Sequence, residues 1–490
     1  METAPPAAFA QTAVTGSING TVTDSTGAVV PNAAVTVKDN ATGATLNLTT
    51  NSEGRFVAPF LKPDDFSVSA MAPGLQSVTT TVQVLTGQQS VADVVVTPSA
   101  SSQTVQVSAS NAQLIDTQTS NTTTTFTTQQ FQNLPMPGGD ITTIAYTVPG
   151  VLVNPGSGYG NFTSNGLPGL SNLVIINGAD NNDPFLHLNN SGSSNMLIGQ
   201  EEIAQASVVQ NGYSVQYGRQ AGAIETYTTK SGSNRVHGLL TFNYNSSGLN
   251  ANDFFNNLYG QPKSKAVSRQ YAAQIGGPIW RNKLFFFADT EGIRYILPTS
   301  AYLNFPSAEF QNTILNTIPA TSVPLYTQMF KTFTGAPAYA GATPVDQNTV
   351  GLAAGNSPGG CGGYAGSPVF GGGGTVFGDP SAGDVACLNA AYGAAGNLNK
   401  EYTIVGRVDW IVSPKQAMFL RILRDTGQQP TTTSLMSPLL NTGSTQPQYA
   451  GQLTDTYTFS PNVTNQLVVA GLWYSAVFGP ADIGATLAFS

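Results

Sequence analysis

The residues able to do chemistry in this chain are few and scattered. The densest group of oxygen donors is Asp180, Asn181, Asn182 and Asp183, four in a row. A calcium ion needs roughly six or more oxygens at suitable spacing, and four consecutive polar residues are also what a solvated loop looks like, so no metal site is assigned. The two histidines, His187 and His237, are too isolated to build a zinc site. The two cysteines, Cys361 and Cys387, lie in a Gly-rich stretch. An even count in an exported chain favours a disulfide between them, with two free thiols as the alternative. A hydrolase needs a nucleophile, a base and a group that orients the base; no such set stands out. The reading therefore assigns no catalytic residue and no cofactor, and expects a protein that is not an enzyme.

Composition narrows the class. Charged residues make up 9% of the 490, while glycine is abundant at 52. Ser, Thr, Asn and Gln replace the missing charges, a mix that suits exported β proteins rather than a cytosolic helical enzyme. The net charge is −8 with no basic run, so the electrostatic footprint of a nucleic-acid binder is absent. No apolar run of about 18 residues occurs, so no transmembrane helix is encoded. A β-barrel is then the one remaining way to cross a bilayer, because backbone groups in lipid must pair within the protein.

The elements that would hold these residues are strands. Residues 14–98 read as a small β domain of about seven strands, punctuated by turns such as Asp24-Ser25-Thr26-Gly27. Residues 99–109 are a linker with an extended segment, Thr104, Val105, Gln106 and Val107. Residues 110–233 read as an α+β unit. Thr127 or Thr128 can cap a helix, with Gln130 or Gln132 near the third position on. Ile141, Ile144, Ala145 and Val148 fall at helical spacing up to Pro149-Gly150. Val174-Ile175-Ile176 reads as a buried strand closed by the tight turn Asn177-Gly178.

From residue 234 to 490 the period is two. Leu240, Phe242 and Tyr244 oppose Thr241, Asn243 and Asn245; Tyr271, Ala273 and Ile275 oppose Gln270, Ala272 and Gln274. Tyr402, Ile404, Val408 and Trp410 oppose Thr403, Val405, Arg407 and Asp409. Short turns at 280–283, 413–415 and 460–462 alternate with long loops, one of them reaching to Lys400. An outer-membrane barrel has this asymmetry and a soluble sandwich has no reason for it. Asp455 falls on the apolar face, which a bulge would repair.

The run NGYSVQYGRQAGAIETYTTKSGSNRVHG (211–238) resembles the plug-to-barrel junction of TonB-dependent outer-membrane receptors, most closely the Oar-like type with a carboxypeptidase regulatory-like domain in front. The pieces that carry it are Tyr213, Ser214, Tyr217, Gly218, Arg219, Gly222, Thr229-Lys230-Ser231-Gly232 and His237-Gly238. GTVTDSTGAVVPNAAVTV, NGADNNDP, LNANDFFNN and GGPIWRNKLFFFADTEG resemble the same family in the same order, so the likeness covers nearly the whole chain.

The resemblance implies an all-β-dominated chain: a transthyretin-like β-sandwich, an α+β plug, then the first part of an antiparallel transmembrane β-barrel. It implies that Tyr217, Gly218, Arg219, Gly222, Lys230 and Gly232 form the plug–barrel junction, and that Arg219 and Lys230 make plug-to-barrel ion pairs. It implies that Asp180 to Asp183 lie near the substrate, and that Thr104 to Val107 pair with TonB by strand addition; the first strand of the plug is the alternative for that segment. Implied partners are TonB with its inner-membrane energising complex, outer-membrane lipid and an oligosaccharide, peptide or siderophore. A non-transporting adhesin is the runner-up. Ala8-Phe9-Ala10 suggests that residues 1–13 are the remnant of an export signal. Seven or eight barrel strands against about 22 give the expectation of a fragment or truncated gene.

Overall fold

The computed structural model describes residues 14–77, 79–98, 107–108, 122–134, 136, 140–153, 162–185, 187–188, 198–211, 220–258, 260, 263–336, 338–345, 388–437, 440–460 and 463–480. Three units follow one another along the chain. The first is a β-sandwich in which Gly16–Asp24 runs through both sheets. It pairs antiparallel with Arg55–Leu61 and parallel with Gln89–Val91 and Val94–Pro98. Ala34–Asp39 lies between Thr45–Thr49 and Asp65–Ala72. Strand alternation sends Ile18, Val22, Val35, Val37, Phe56, Phe66, Val68, Val94 and Val96 into one closed core. Nine short strands occur between residues 16 and 98 rather than about seven. The segment after Leu75 divides into four pieces where turns were not resolved by pattern alone.

The second unit is a mixed sheet, which the resemblance calls a plug. Its strands Leu173–Ile176 and Ile224–Thr229 are parallel; Ile203–Val209 and Thr123–Thr127 add antiparallel. Asn177 and Gly178 both take positive φ, 49° and 90°, so the expected tight turn forms and leads into Ala179–Asp180. Thr127 caps the helix Thr128–Asn133, and its N–H donates to Gln130 Oε1 at 2.8 Å. The second helical segment is a 3₁₀ helix, Ile141–Thr147, rather than an α-helix. Asp140 accepts from Thr142 N (3.0 Å) and Thr142 Oγ1 (2.8 Å), and tightens that first turn. Phe131, Ile141, Ile144, Ile203 and Tyr227 fill a second, separate core.

The third unit is a curved antiparallel wall of seven consecutive long strands: His237–Ser246, Val267–Trp280, Leu284–Pro306, Leu388–Ser413, Gln416–Thr432, Gln448–Ser460 and Val463–Tyr474. Its outward face is apolar: Leu240, Phe242, Ile275, Ile404, Leu420, Ile422 and Val469 are all exposed. Aromatic residues rim this face at two levels. Tyr402 and Trp410, and likewise Tyr449 and Tyr457, stand eight residues apart on their strands. At about 3.3 Å per residue that is about 26 Å of strand, or about 20 Å of height at a tilt of about 40°, most of an apolar band about 25 Å tall.

Two expectations are corrected here. Much of the long loop up to Lys400 is strand, because Leu284–Pro306 and Leu388–Ser413 stay paired from Leu284↔Trp410 to Pro306↔Leu388. Beyond them lie the helices Ala308–Thr317 and Val323–Thr334. No bulge rescues Asp455, since its strand keeps unbroken register from Gln448 to Thr458. The carboxylate stays on the outer face near the short-turn end, where Gln416 Nε2 donates to it at 3.0 Å.

Candidate functional site

Where the plug meets the inner face of the wall, charge is concentrated and buried. The wall supplies Asp289, Glu291, Glu401, Arg407, Arg421 and Asp425, all buried. Each stands at an inward position of the two-residue alternation, so the pattern that puts Leu420 and Ile422 outside puts Arg421 inside. The plug supplies Glu201, Glu202, Thr229 and Lys230.

Several contacts between described residues join the two surfaces. Arg421 Nε donates to Glu202 Oε1 at 2.6 Å, with both side chains about 95% or more buried. Glu291 Oε1 accepts from the backbone N–H groups of Glu201 (2.7 Å) and Glu202 (3.2 Å). Gly199 is required beside it: a Cβ there would collide with the Glu291 carboxylate. Arg407 is held by Asp409 through Nε (3.1 and 3.0 Å) and Nη2 (2.7 Å), and its Nη1 donates to Thr229 Oγ1 at 2.7 Å. Its guanidinium also lies 4.1 Å from the Phe419 ring centroid. Gln452 Nε2 donates to Asn177 O at 2.7 Å. The arrangement has ion pairs and neutral hydrogen bonds but no nucleophile–base pair. It is a seating surface.

The predicted junction residues divide. Lys230 Nζ lies 3.4 Å from Glu201 Oε2, within the plug, and reaches the wall by donating to Gln274 Oε1 at 3.2 Å. Its ion pair is therefore internal, and among the described residues Glu202–Arg421 is a plug-to-wall ion pair. Gly222 packs where a Cβ would meet Asn172 Oδ1 and Ser171 O at 2.5 and 2.6 Å, and Gly232 packs against the backbone of Phe286 and Gly277. Tyr217, Gly218 and Arg219 lie outside the described residues, as do Thr104, Val105 and Gln106, and Cys361 and Cys387. Val107 is described: Val107–Ser108 pairs parallel with Thr80–Gln83 of the sandwich.

The Asp180–Asp183 run does structural duty in part. Asn182 Oδ1 accepts from Val174 N (2.8 Å), and its Nδ2 donates to Asn172 O and His187 O (both 3.0 Å). Asp183 is buried and accepts from Phe185 N at 2.9 Å. Asp180 is exposed and Asn181 half-buried. The loop reaches the long-loop end of the wall, where Phe185 lies 6.4 Å from Tyr474. Among the described residues no group of three or more His, Cys, Asp or Glu could hold a metal ion.

Sequence reasoning missed Glu225. It stands in the central plug strand between Val174 and Val208 and is fully buried. Tyr227 Oη donates to Glu225 Oε2, and Oε1 has no hydrogen-bond partner. Burial pushes this carboxyl up to about 8, with the Tyr227 hydrogen bond opposing and Asp140 adding to the rise. The run IETYTT looks half exposed by pattern, but both faces of the strand are covered.

Three family models match in chain order: a carboxypeptidase regulatory-like domain over residues 17–97, a TonB-dependent receptor plug domain over 115–223, and an outer membrane beta barrel domain over 228–488. The TonB-dependent transporter Oar of Myxococcus xanthus is 28% identical over 141 residues, 27% of this chain and 13% of that protein. The outer membrane transporter YddB from Escherichia coli is similar at 13% identity and a TM-score of 0.43, over 71% of this chain and 38% of that one. The siderophore receptor PirA from Pseudomonas aeruginosa is similar at 12% and 0.40, over 73% and 41%. This chain thus spans well under half the length of each, and likenesses at those TM-scores decide nothing about cargo.

Proposed function

Because this chain belongs to the TonB-dependent outer-membrane receptors, with a carboxypeptidase regulatory-like domain ahead of the plug and an outer-membrane barrel wall behind it, we propose that it serves energy-coupled import of a nutrient. The carrying observation is the buried seam, in which Arg421–Glu202, Glu291 and Arg407 seat the plug against a wall that is apolar outside and polar inside. Such a seam holds a movable stopper. Cargo, an oligosaccharide, peptide or siderophore, meets the long-loop end, where Asp180 and Asn181 are the candidates for first contact. TonB and its energising complex pull on the segment ahead of the plug, through Thr104 to Val107. No covalent step is involved, and lipid surrounds the outer face. The sandwich and short turns face the periplasm.

The test is recovery from outer membranes followed by capture on the periplasmic domain of TonB. The chain should need detergent for extraction, shift its gel mobility on heating and be retained. Val105→Pro should abolish retention, because proline removes a main-chain donor from the added strand. Release by high salt or carbonate alone would sink the reading; retention unchanged by Val105→Pro would move the pairing segment elsewhere.

A further inference from the structure

The sandwich is not a free module hung on a linker. Its loop at Thr86, which is fully buried, presses on the plug from below. Thr86 N donates to Gln205 Oε1 at 2.9 Å, and Thr86 Oγ1 lies 3.2 Å from Thr228 Oγ1. Thr228 Oγ1 donates to Val14 O at 3.1 Å, and Gln88 Nε2 donates to Thr125 Oγ1 at 3.1 Å. Gln205 and Thr228 stand on the two paired plug strands that the seam residues Glu202 and Thr229 adjoin. A second loop grips the wall's short-turn rim. Asn234 N donates to Ala41 O (2.9 Å), and Asn234 Nδ2 donates to Thr42 O (2.7 Å) and to Asn282 Oδ1 (2.8 Å). Lys62 adds Ser231 Oγ at 3.5 Å while paired with Asp39 at 3.1 Å.

We propose that the N-terminal sandwich is a detachable latch: docked on the plug and the rim together, it holds the plug in its seat and must lift away before the plug can leave. Three features make the docking reversible. The sandwich core and the plug core are separate clusters, so neither unfolds when they part. The bonds between them are mostly neutral hydrogen bonds, each contributing about 1 kcal/mol net, so the contact resembles a transient interface more than a shared core. And the fit is incomplete. A cavity of about 250 Å³ remains between Phe60, Leu61 and Lys62 of the sandwich and Arg407, Phe419 and Thr454 of the wall. The inference rests on the reading that the plug moves, but it concerns what restrains that movement.

The experiment compares hydrogen exchange of the plug strands Ile203–Val209 and Ile224–Thr229 in the full chain, in micelles, with Cys361 and Cys387 replaced by serine. Thr86→Cys with Thr228→Cys supplies a lock where the two side-chain oxygens meet at 3.2 Å. Thr86→Asp supplies the unlatched form by placing a charge in the buried contact. Exchange in the sandwich strands reports whether that domain is still folded. Relative to the unlocked chain, plug exchange should slow tenfold or more when the lock is oxidised, return on reduction, and quicken tenfold or more in T86D. Failure of the disulfide to form, or equal plug exchange in all three forms, overturns the latch. Neither TonB nor cargo enters the measurement, so such a failure leaves the transport reading standing.

Discussion

Glu225 makes plug stability fall as pH rises, and the size of the fall can be worked out. The carboxyl is fully buried, its Oε1 has no hydrogen-bond partner, and its ordinary value of 4.5 is pushed up to about 8. Below about pH 4.5 the group is protonated whether the plug is folded or not, and contributes no pH dependence. Between there and about 8 the unfolded strand ionises while the folded one stays neutral, so unfolding releases a proton. Stability then drops by up to about 1.4 kcal/mol per pH unit, or about 2–3 kcal/mol between pH 5.5 and 7.5. Above about 8 the loss is complete. Glu225→Gln keeps shape and neutrality and removes the titration. The two proteins should be similar at pH 5.5, and the variant more stable by about 2–3 kcal/mol at pH 7.5. The assay is hydrogen exchange of Ile224–Thr229 at pH 5.5, 6.5, 7.5 and 8.5, corrected for intrinsic rates. The charged or titratable neighbours are Asp140, Tyr146 and Tyr227. Parallel pH slopes for parent and variant would refute the reasoning.

Breaking the buried pair by Arg421→Ala strands Glu202 and should cost about 3–5 kcal/mol in plug stability by urea titration. Replacing both partners, Arg421→Met with Glu202→Leu, should recover most of it. Leu420→Arg places a charge at the middle of the outward face and should destabilise the wall by about 2–4 kcal/mol in lipid, read as lost heat-modifiable species; an unaffected variant would deny that this face meets hydrocarbon. Gly199→Ala should push the Glu291 carboxylate off the Glu201 and Glu202 amides and cost about 1–3 kcal/mol, seen as faster exchange at those two amides. Peptide mapping without reductant should return Cys361 joined to Cys387, and two alkylatable thiols would refute the pairing.

What the sequence made legible was whatever depends on nearest neighbours in one strand. Alternation at Leu240, Phe242 and Tyr244 told inside from outside because a strand reverses its side chain every residue. Asn177-Gly178 told its turn because both positions need positive φ. The seam was not legible: Arg421 and Glu202 are 219 positions apart, and nothing local distinguishes an inward arginine that meets a plug from one that meets water. The same holds for Lys230, whose near carboxylate is Glu201 of the plug and whose wall contact is Gln274. Glu225 was hidden by its neighbours, since alternating Thr and Tyr imply one wet face, whereas the packed 3₁₀ helix on the Tyr227 face and Thr86 and Val14 on the Thr228 face leave none. The long hairpin beyond Thr290 was lost because Gly, Ala and Pro blur the period there while the ladder continues.

The two seams argue together about why this protein buries charge. Taking ions out of water costs several kcal/mol each, and an apolar seam of the same size would hold more tightly. Arg421, Glu202 and Glu291 therefore add little net strength. What they supply is register: the plug fits in one seating, where every short contact is met at once. On the proposed reading that the plug moves, they also supply a way out. An apolar seam resists until all of it separates, but a polar one exchanges its partners for water a contact at a time as the plug shifts. The same holds below, where Thr86, Gln205 and Thr228 meet through hydroxyl and amide groups although both neighbouring cores could have offered apolar side chains. The outer face of the wall is apolar toward lipid, whereas the contacts above and below the plug are polar and set its register.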